Sequence, residues 1–210
     1  MTMTITDNLD NEDPITELYF SADVEADGGI PGPYSMSSLG MVAFAYRTKN
    51  GTYRRIDMDA DENSFYAELK PISDDFVPEA MAVSGLDRDQ LVAHGEDPAA
   101  TMKNLNAFVE GVVKRFGSNV RPVFVAYPLG YDWMFIYWYL INFAGTSAFG
   151  HSSALDIKTL FAAKSRRGIR GVGKRSIPKA LHSKRKHTHN ALDDAREQGD
   201  LCYNIFVWNS

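Results

Sequence analysis

The sequence predicts an α/β domain in which helices flank a mixed β-sheet. Three strand-like segments come first, and short apolar runs then alternate with longer segments of helical periodicity, an order typical of α/β proteins. At 210 residues, the chain has room for one sizeable domain or, at most, two small ones. Hydrophobic residues make up 44% of it and charged residues 23%, which excludes collagen, coiled coils and wholesale disorder.

The first half of the chain predicts three strands. Residues 18–26 (LYFSADVEA) are apolar at first and then alternate between apolar and polar, as expected of a strand. Residues 36–47 predict a second strand. Asn50-Gly51 follows as a hairpin signal and leads into a third strand.

The second half alternates helices with short strands. Residues 98–116 carry apolar residues at helical spacing, with Pro98 at the position that favours a helix start and Gly117 at the position that favours its end. A short apolar run such as PVFVAY is expected of a buried strand. The remaining elements are predicted as a strand over 122–127, a helix over 132–143, a strand over 154–157 and an amphipathic helix over 189–208.

Composition predicts a cytoplasmic protein without a membrane anchor. The chain starts with acidic and polar residues rather than a secretory signal, and its most apolar stretch, 133–145, is too short to span a bilayer. The single cysteine, Cys202, excludes an internal disulfide framework and fits a reducing compartment. Residues 1–16 lack apolar periodicity and predict a disordered acidic tail, so the folded domain is expected to span 17–210.

Positive charge is concentrated in one segment of an otherwise acidic chain. The formal net charge is -5, yet the segment 164–186 carries ten basic residues and no acidic one. Such a segment is an electrostatic handle for a polyanion, most plausibly a phosphate backbone. A solvated surface loop is an equally valid interpretation of the charge run alone.

Two carboxylates lie side by side on the first predicted strand. Asp23 and Glu25 are two residues apart, so their side chains point to the same face. Two neighbouring carboxylates resist joint ionisation, and a divalent cation such as Mg²⁺ or Mn²⁺ removes that conflict. An isolated Asp-x-Glu is also typical of a strand end whose acids face water.

Two further acids and a histidine occupy positions that favour a cleft. Asp132 follows the strand 122–127, and open α/β sheets bind ligands at the carboxyl ends of strands; it is also placed where a helix dipole favours an acid. On the last helix, about 100° per residue puts Asp194 beside the apolar stripe and turns Asp193 to solvent. His189 precedes Asp194 by five residues, near the helix start.

In this order and spacing, the motifs resemble those of the DEDDh exonucleases of the ribonuclease H-like superfamily, which include proofreading exonucleases, ribonuclease T and oligoribonuclease. The first family motif, Asp-x-Glu followed by Gly, matches Asp23 and Glu25 in SADVEADG; the second matches Asp132 in VFVAYPLGYDWMF; the third, His-x₄-Asp, matches His189 and Asp194 in HNALDDA. The resemblance covers about residues 17–205 and implies a ribonuclease H-like α/β fold.

The resemblance implies a 3′-5′ exonuclease with two divalent cations, Mg²⁺ or Mn²⁺. In this scheme Asp23 bridges both cations, Glu25 and Asp194 help to hold the one that activates water, and Asp132 supports the second. His189 is the implied general base, and the product is a nucleoside 5′-monophosphate. His187, two residues earlier, lacks the family spacing and is expected to be a bystander.

The implied substrate is a single-stranded RNA or DNA with a free 3′ end. Aromatic and apolar platforms bind bases without sequence preference, and basic residues bind phosphates. The substrate-binding candidates are Ile30, Tyr34 and Met36, which follow the first motif, and Arg166, Arg167, Arg170 and Lys174 in the basic segment.

Two positions depart from the family pattern. Pro128 stands where relatives often have Asn, and Ser84 stands where many have His, which leaves substrate preference open. The alternative from another functional class is a non-catalytic nucleic-acid-binding module that keeps the fold. A homodimer is an expectation carried over from relatives.

Overall fold

A six-stranded mixed sheet runs through the middle of the molecule in the computed structural model, which describes residues 13–209. The strands are β1 (Ile15–Ala26), β2 (Met36–Thr48), β3 (Tyr53–Arg55), β4 (Ser64–Glu68), β5 (Arg121–Ala126) and β6 (Ala154–Asp156). Their order is β3-β2-β1-β5-β6, and β4 pairs with the other end of β2. Because β1, β5 and β6 are parallel and β2 is antiparallel to β1, the predicted mixed sheet is confirmed.

Helices cover both faces of this sheet. They are α1 (Pro78–Ser84), α2 (Arg88–His94), α3 (Pro98–Phe116), α4 (Leu129–Tyr139), α5 (Ile157–Ser165) and α6 (Ala191–Val207). Successive side chains of β1 point to opposite faces, so Phe20 packs in the core under α3 and α4, whereas Tyr19 packs in the core under α5 and α6. Among the described residues, no helix is both long and apolar enough to cross a membrane.

The central strand β1 extends beyond its parallel neighbour. It pairs with β5 only as far as Ser21, but with β2 as far as Ala26. The last part of β1 therefore has a free side at the carboxyl end of the sheet. Asp23 and Glu25 lie in this part, which is where an open α/β sheet binds its ligands.

The start of α6 lies directly on β2 at Gly40. This glycine is the pairing partner of Asp23, and a Cβ there would lie 2.2 Å from the backbone of Ala191 and Leu192. Only glycine allows the helix backbone to come this close to the strand. The close approach brings the first turns of α6 beside Asp23.

Several predicted boundaries are corrected. The first strand begins at Ile15, because the Lys49 N–H donates to the Pro14 carbonyl and the Thr16 hydroxyl donates to the Arg47 carbonyl. The tail predicted for residues 1–16 is therefore wrong for residues 15 and 16, and residues 1–12 lie outside the described part of the chain.

Two helix starts also differ. The helix predicted over 132–143 starts at Leu129, whose N–H is bound by the Asp156 carboxylate, and ends in a π-helical turn over 140–144. The final helix starts at Ala191 rather than His189, because the Asn190 side chain accepts from the backbone of the first turn and caps it.

The elements β4, α1, α2 and α5 were not predicted; at five to nine residues each, they are too short for a clear periodicity.

Candidate active site

Acidic side chains from three separate elements converge at the carboxyl end of β1. Carboxylate oxygens of Asp23, Glu25 and Asp194 all lie within 4.8 Å of one another. Asp23 and Glu25 share the face of β1 toward α6, as their spacing predicts. The third member, Asp194, lies in the first turn of α6, which Gly40 allows to approach the strand.

Asp132 reaches the same end of β1 from the first turn of α4. It is buried, and its Oδ1 accepts a hydrogen bond from the Val24 N–H at 3.1 Å. Val24 lies beyond the last residue of β1 that pairs with β5, so this side chain binds a backbone donor that the sheet leaves free. Burial raises the pKa of Asp132 to about 7 against the lowering effect of this hydrogen bond.

Asp194 is fixed by the turn that precedes α6. Its side chain has no exposed surface, and its two oxygens accept from the backbone N–H groups of Thr188 at 2.8 Å and His189 at 2.9 Å. His189 has a φ of 60°, the left-handed conformation that turns the chain into the helix. Asp193 is half-exposed and pairs with Arg196, so the predicted orientations of the two adjacent acids are confirmed.

The acidic side chains repel one another. Burial and the charges of Asp132, Glu25 and Asp194 raise the pKa of Asp23 well above its ordinary value, and burial together with Asp194 raises that of Glu25 to about 7. Among the described residues, no Lys or Arg forms an ion pair with Asp23, Glu25 or Asp132. Carboxylate oxygens are the ligands that divalent cations such as Mg²⁺ prefer, and a cluster of them without a neighbouring cation fits such an ion.

The fold is shared with nucleases of known structure. The chain superimposes with a TM-score of 0.65 and 12% identity on a 3′-exonuclease recognising a histone mRNA stem-loop, covering 92% of this chain and 65% of that one. With the nuclease domain of 3′hExo, a DEDDh family member bound to rAMP, the TM-score is 0.64 at 12% identity, over 90% of this chain and 92% of that one. Escherichia coli Exonuclease I in complex with a dT13 oligonucleotide gives 0.56 at 13% identity, covering 88% and 40%.

A relative at the level of sequence decides the family. The chain is 36% identical to the 3′-5′ DNA exonuclease Cap18 of Escherichia coli over 186 residues, which cover 88% of this chain and 89% of the relative. The chain belongs to the DEDDh family of 3′-5′ exonucleases. No family model matches the sequence. The predicted family and the ribonuclease H-like fold are thereby confirmed.

The sequence did not reveal Gln198 as a neighbour of the carboxylate cluster. Its side-chain Nε2 donates to Asp23 Oδ1 at 2.7 Å, while its Oε1 accepts from the Tyr127 N–H at 2.8 Å. This buried amide connects α6 with the end of β5 and with the carboxylate of β1. It lies one turn after Asp194 on the same helix face, but no family motif points to it.

Replacing Gln198 is expected to remove the hydrogen bond that holds the Asp23 carboxylate in position, while Asp23 itself stays. We predict that Gln198→Met lowers kcat about 10- to 100-fold, as loss of an outer-shell partner does at metal sites, and raises the Mg²⁺ concentration needed for half-maximal activity. KM for the oligonucleotide should change little. The control is Gln90→Met on exposed α2. A rise in KM alone, with kcat and the Mg²⁺ requirement unchanged, would contradict this positioning role.

His187, which the sequence predicts to be a bystander, contacts the site. Its Nδ1 lies 3.1 Å from Asp194 Oδ2, and its ring meets that of His189 edge-on at a centroid distance of 4.6 Å. Both side chains are exposed to solvent. The sequence spacing missed this contact because the turn before α6 places both histidines on the same side.

The predicted base-binding residues after the first motif separate into two groups. Ile30 is 51% exposed, and Tyr34 is half-buried, with its ring over Gly28, where a Cβ would lie 2.1 Å from it. Met36 is fully buried in the core under α3 and α4. The expectation that Met36 contacts a base is therefore wrong, because its strand position turns the side chain inward.

The basic segment is only partly free. Arg166, Arg167 and Arg170 are exposed. Lys174 is 33% exposed and donates to buried Glu197 at 2.6 Å, so its ammonium neutralises a carboxylate of α6. Its role as a phosphate ligand stays a prediction. Lys164 likewise donates to the last carbonyls of α6.

Proposed function

We propose that this exonuclease is divalent-metal-dependent and removes nucleoside 5′-monophosphates from the 3′ end of single-stranded DNA. The observation that carries the proposal is the convergence of Asp23, Glu25, Asp132 and Asp194 beside His189. DNA is favoured over RNA because the 36% identical relative is named a DNA exonuclease. The homodimer and the cytoplasmic location stay predictions.

The carboxylates would hold two cations, Mg²⁺ or Mn²⁺. Asp23 would contact both, Glu25 and Asp194 would hold one of them, and Asp132 would support the other. Bound cations supply an activated water and stabilise the leaving 3′ oxygen. Burial, together with the neighbouring carboxylates, raises the pKa values of Asp23, Glu25 and Asp132. Positive charge entering the cluster would stabilise their ionised forms.

His189 would act as the general base. Its backbone is anchored on Asp194 Oδ2 and its side chain is exposed at the mouth of the cluster, so a ring nitrogen can accept the proton of the attacking water. The same anchor keeps the imidazole next to the carboxylates. Ile30 and Tyr34 would contact the terminal base, which an apolar and aromatic platform binds without sequence preference.

The substrate is tested with matched oligonucleotides. Single-stranded DNA, single-stranded RNA and duplex DNA of one sequence are incubated with Mg²⁺, Mn²⁺ or EDTA. We expect single-stranded DNA to be degraded fastest, with no shortening in EDTA. Faster degradation of RNA would overturn the DNA preference. Tight binding without shortening of any substrate would instead favour a non-catalytic binding module.

Neutralising the exposed arginines is expected to weaken substrate binding. The combined variant is Arg166→Asn, Arg167→Gln and Arg170→Gln, with Asn at 166 because its φ of 55° is left-handed. If each arginine contacts one phosphate, the slope of log K against log salt becomes shallower by about two. Lys174 is left unchanged, because its removal would strand the buried Glu197 charge.

The control removes an equal number of charges elsewhere. It replaces exposed cations on α3 and at the start of β5, outside the basic segment, as Lys103→Gln, Lys114→Gln and Arg121→Gln. Binding is measured by fluorescence anisotropy at several salt concentrations. Equal salt slopes in both triple variants would show that the basic segment does not guide the strand.

A further inference from the structure

A second group of metal-binding side chains adjoins the carboxylates. One ligand atom each from His187, His189 and Asp194 lie within 4.8 Å of one another. His187 Nδ1 is 3.1 Å from Asp194 Oδ2, and its side chain is 50% exposed. The proposed exonuclease mechanism uses Asp194 and His189 but gives His187 no role.

The donor atoms of this group differ from those of the carboxylate cluster. Imidazole nitrogen suits Zn²⁺ and its transition-metal neighbours, whereas Mg²⁺ prefers oxygen. Bonds of about 2.1 Å at tetrahedral or octahedral angles place neighbouring ligand atoms roughly 3.0–3.4 Å apart. The separation of 3.1 Å between His187 Nδ1 and Asp194 Oδ2 falls within that range.

The surrounding turn holds these side chains in place. Asp194 accepts from the backbone of Thr188 and His189, and Asn190 caps the following helix. Each carboxylate oxygen retains a lone pair after accepting one hydrogen bond. Second-shell hydrogen bonds that orient a ligating carboxylate are a regular feature of metal sites.

We propose that His187, His189 and Asp194 form an inhibitory site for a nitrogen-preferring divalent cation, with Zn²⁺ as the representative ion. A cation bound here is coordinated by a ring nitrogen of His189, which then cannot accept a proton. It also takes Asp194, which belongs to the carboxylate cluster as well. Binding at this site and exonuclease turnover therefore exclude each other. The inhibitory consequence rests on the proposed function, whereas the binding of Zn²⁺ does not.

Direct metal binding tests the site without reference to catalysis. Metal-free full-length protein is titrated with Co²⁺, whose visible spectrum reports nitrogen ligation, and with Zn²⁺ against a competing chelator. We expect one Zn²⁺ per chain, bound at least about tenfold more weakly by His187→Gln. His151→Gln, which replaces an exposed histidine outside the group, should bind Zn²⁺ as the wild type does.

A variant of the carboxylate cluster locates the ion. Asp23→Asn removes a member of that cluster but none of the three proposed ligands, so it should keep the Zn²⁺ affinity and the Co²⁺ spectrum. Loss of Zn²⁺ binding in Asp23→Asn, with full binding in His187→Gln, would place Zn²⁺ among the carboxylates and overturn the proposal.

Inhibition is measured as a ratio within each variant. Each protein is assayed on single-stranded DNA in Mg²⁺ with increasing Zn²⁺, and the rate is divided by its own rate without Zn²⁺. The inhibiting Zn²⁺ concentration should rise at least about tenfold in His187→Gln and stay unchanged in His151→Gln. An unchanged value in His187→Gln would refute the inhibitory site. Absence of nuclease activity in all proteins would refute the proposed function, and the Co²⁺ titration would still decide Zn²⁺ binding.

Discussion

Asp23→Asn is expected to reduce exonuclease activity on the order of 10³-fold or more, about 4 kcal/mol of transition-state stabilisation, while it stabilises the metal-free protein. Asp23 is the acid that faces Glu25, Asp132 and Asp194 together. Asparagine keeps the shape and still accepts the Gln198 hydrogen bond. It removes a negative charge. The cations need this charge for binding, whereas in the metal-free protein the same charge destabilises the fold.

The pH dependence of stability follows from the burial of these acids and from their mutual repulsion. Glu25 and Asp132 have ordinary pKa values of 4.5 and 3.8, which the folded protein raises to about 7. Between these limits the folded state holds more protons than the unfolded state, so the metal-free protein loses stability as pH rises from about 4 to 7. Added Mg²⁺ should restore stability most strongly at and above pH 7.

Thermal unfolding in EDTA at pH 5 to 8 tests this account. Asp23→Asn should unfold at a higher temperature than wild type at pH 7.5 and should lose less stability with rising pH. Asp193→Asn is the matched control, since Asp193 is exposed on the turn of α6 that carries Asp194. A less stable Asp23→Asn protein across this range would contradict the repulsion argument, whatever its activity.

His189→Gln is expected to lower kcat about 10²- to 10⁴-fold, the usual contribution of a general base, with little change in KM. The glutamine backbone N–H can still donate a hydrogen bond to Asp194, but the glutamine side chain has no proton acceptor as basic as imidazole. Zn²⁺-free buffers are required, and added imidazole should restore part of the rate. The measurement is steady-state kinetics on single-stranded DNA.

The adjacent histidine provides the sharpest comparison. His187, like His189, is exposed to solvent and contacts Asp194, yet His187→Gln should lose much less of kcat. If His187→Gln loses as much as His189→Gln, or if only His187→Gln responds to imidazole, the proton acceptor has been assigned to the wrong ring.

Local periodicity was sufficient to predict most of the site. Alternation along β1 placed Asp23 and Glu25 on one face, and the helical period of α6 distinguished buried Asp194 from exposed Asp193. Asp132 was predicted from its position after an apolar strand. The predicted placements of these side chains agree with the structure because each depends on one element and its immediate neighbours; their roles stay predictions.

Local sequence patterns could not predict contacts between elements that are distant in the chain. Gln198 bonds to Asp23 across 175 residues, and its polar side chain gives no local sign of that partner. Lys174 looked like a free cation because the pairing with Glu197 depends on the path of the whole basic segment. Met36 was misplaced although the predicted start of β2 is correct, because the side chains on both faces of this end of the strand are buried and alternation alone does not show that.

The central claim is that the carboxylate cluster removes nucleotides from the 3′ end with the help of divalent cations. It is tested most directly by following one single-stranded DNA oligomer labelled at its 5′ end and a second labelled at its 3′ terminal nucleotide, with Mg²⁺ or EDTA. We predict a ladder shortening from the 3′ end, immediate release of the 3′ label as a nucleoside 5′-monophosphate, and neither in EDTA or with Asp23→Asn. Release of the 5′ label first, internal cleavage, or full activity in EDTA would contradict it.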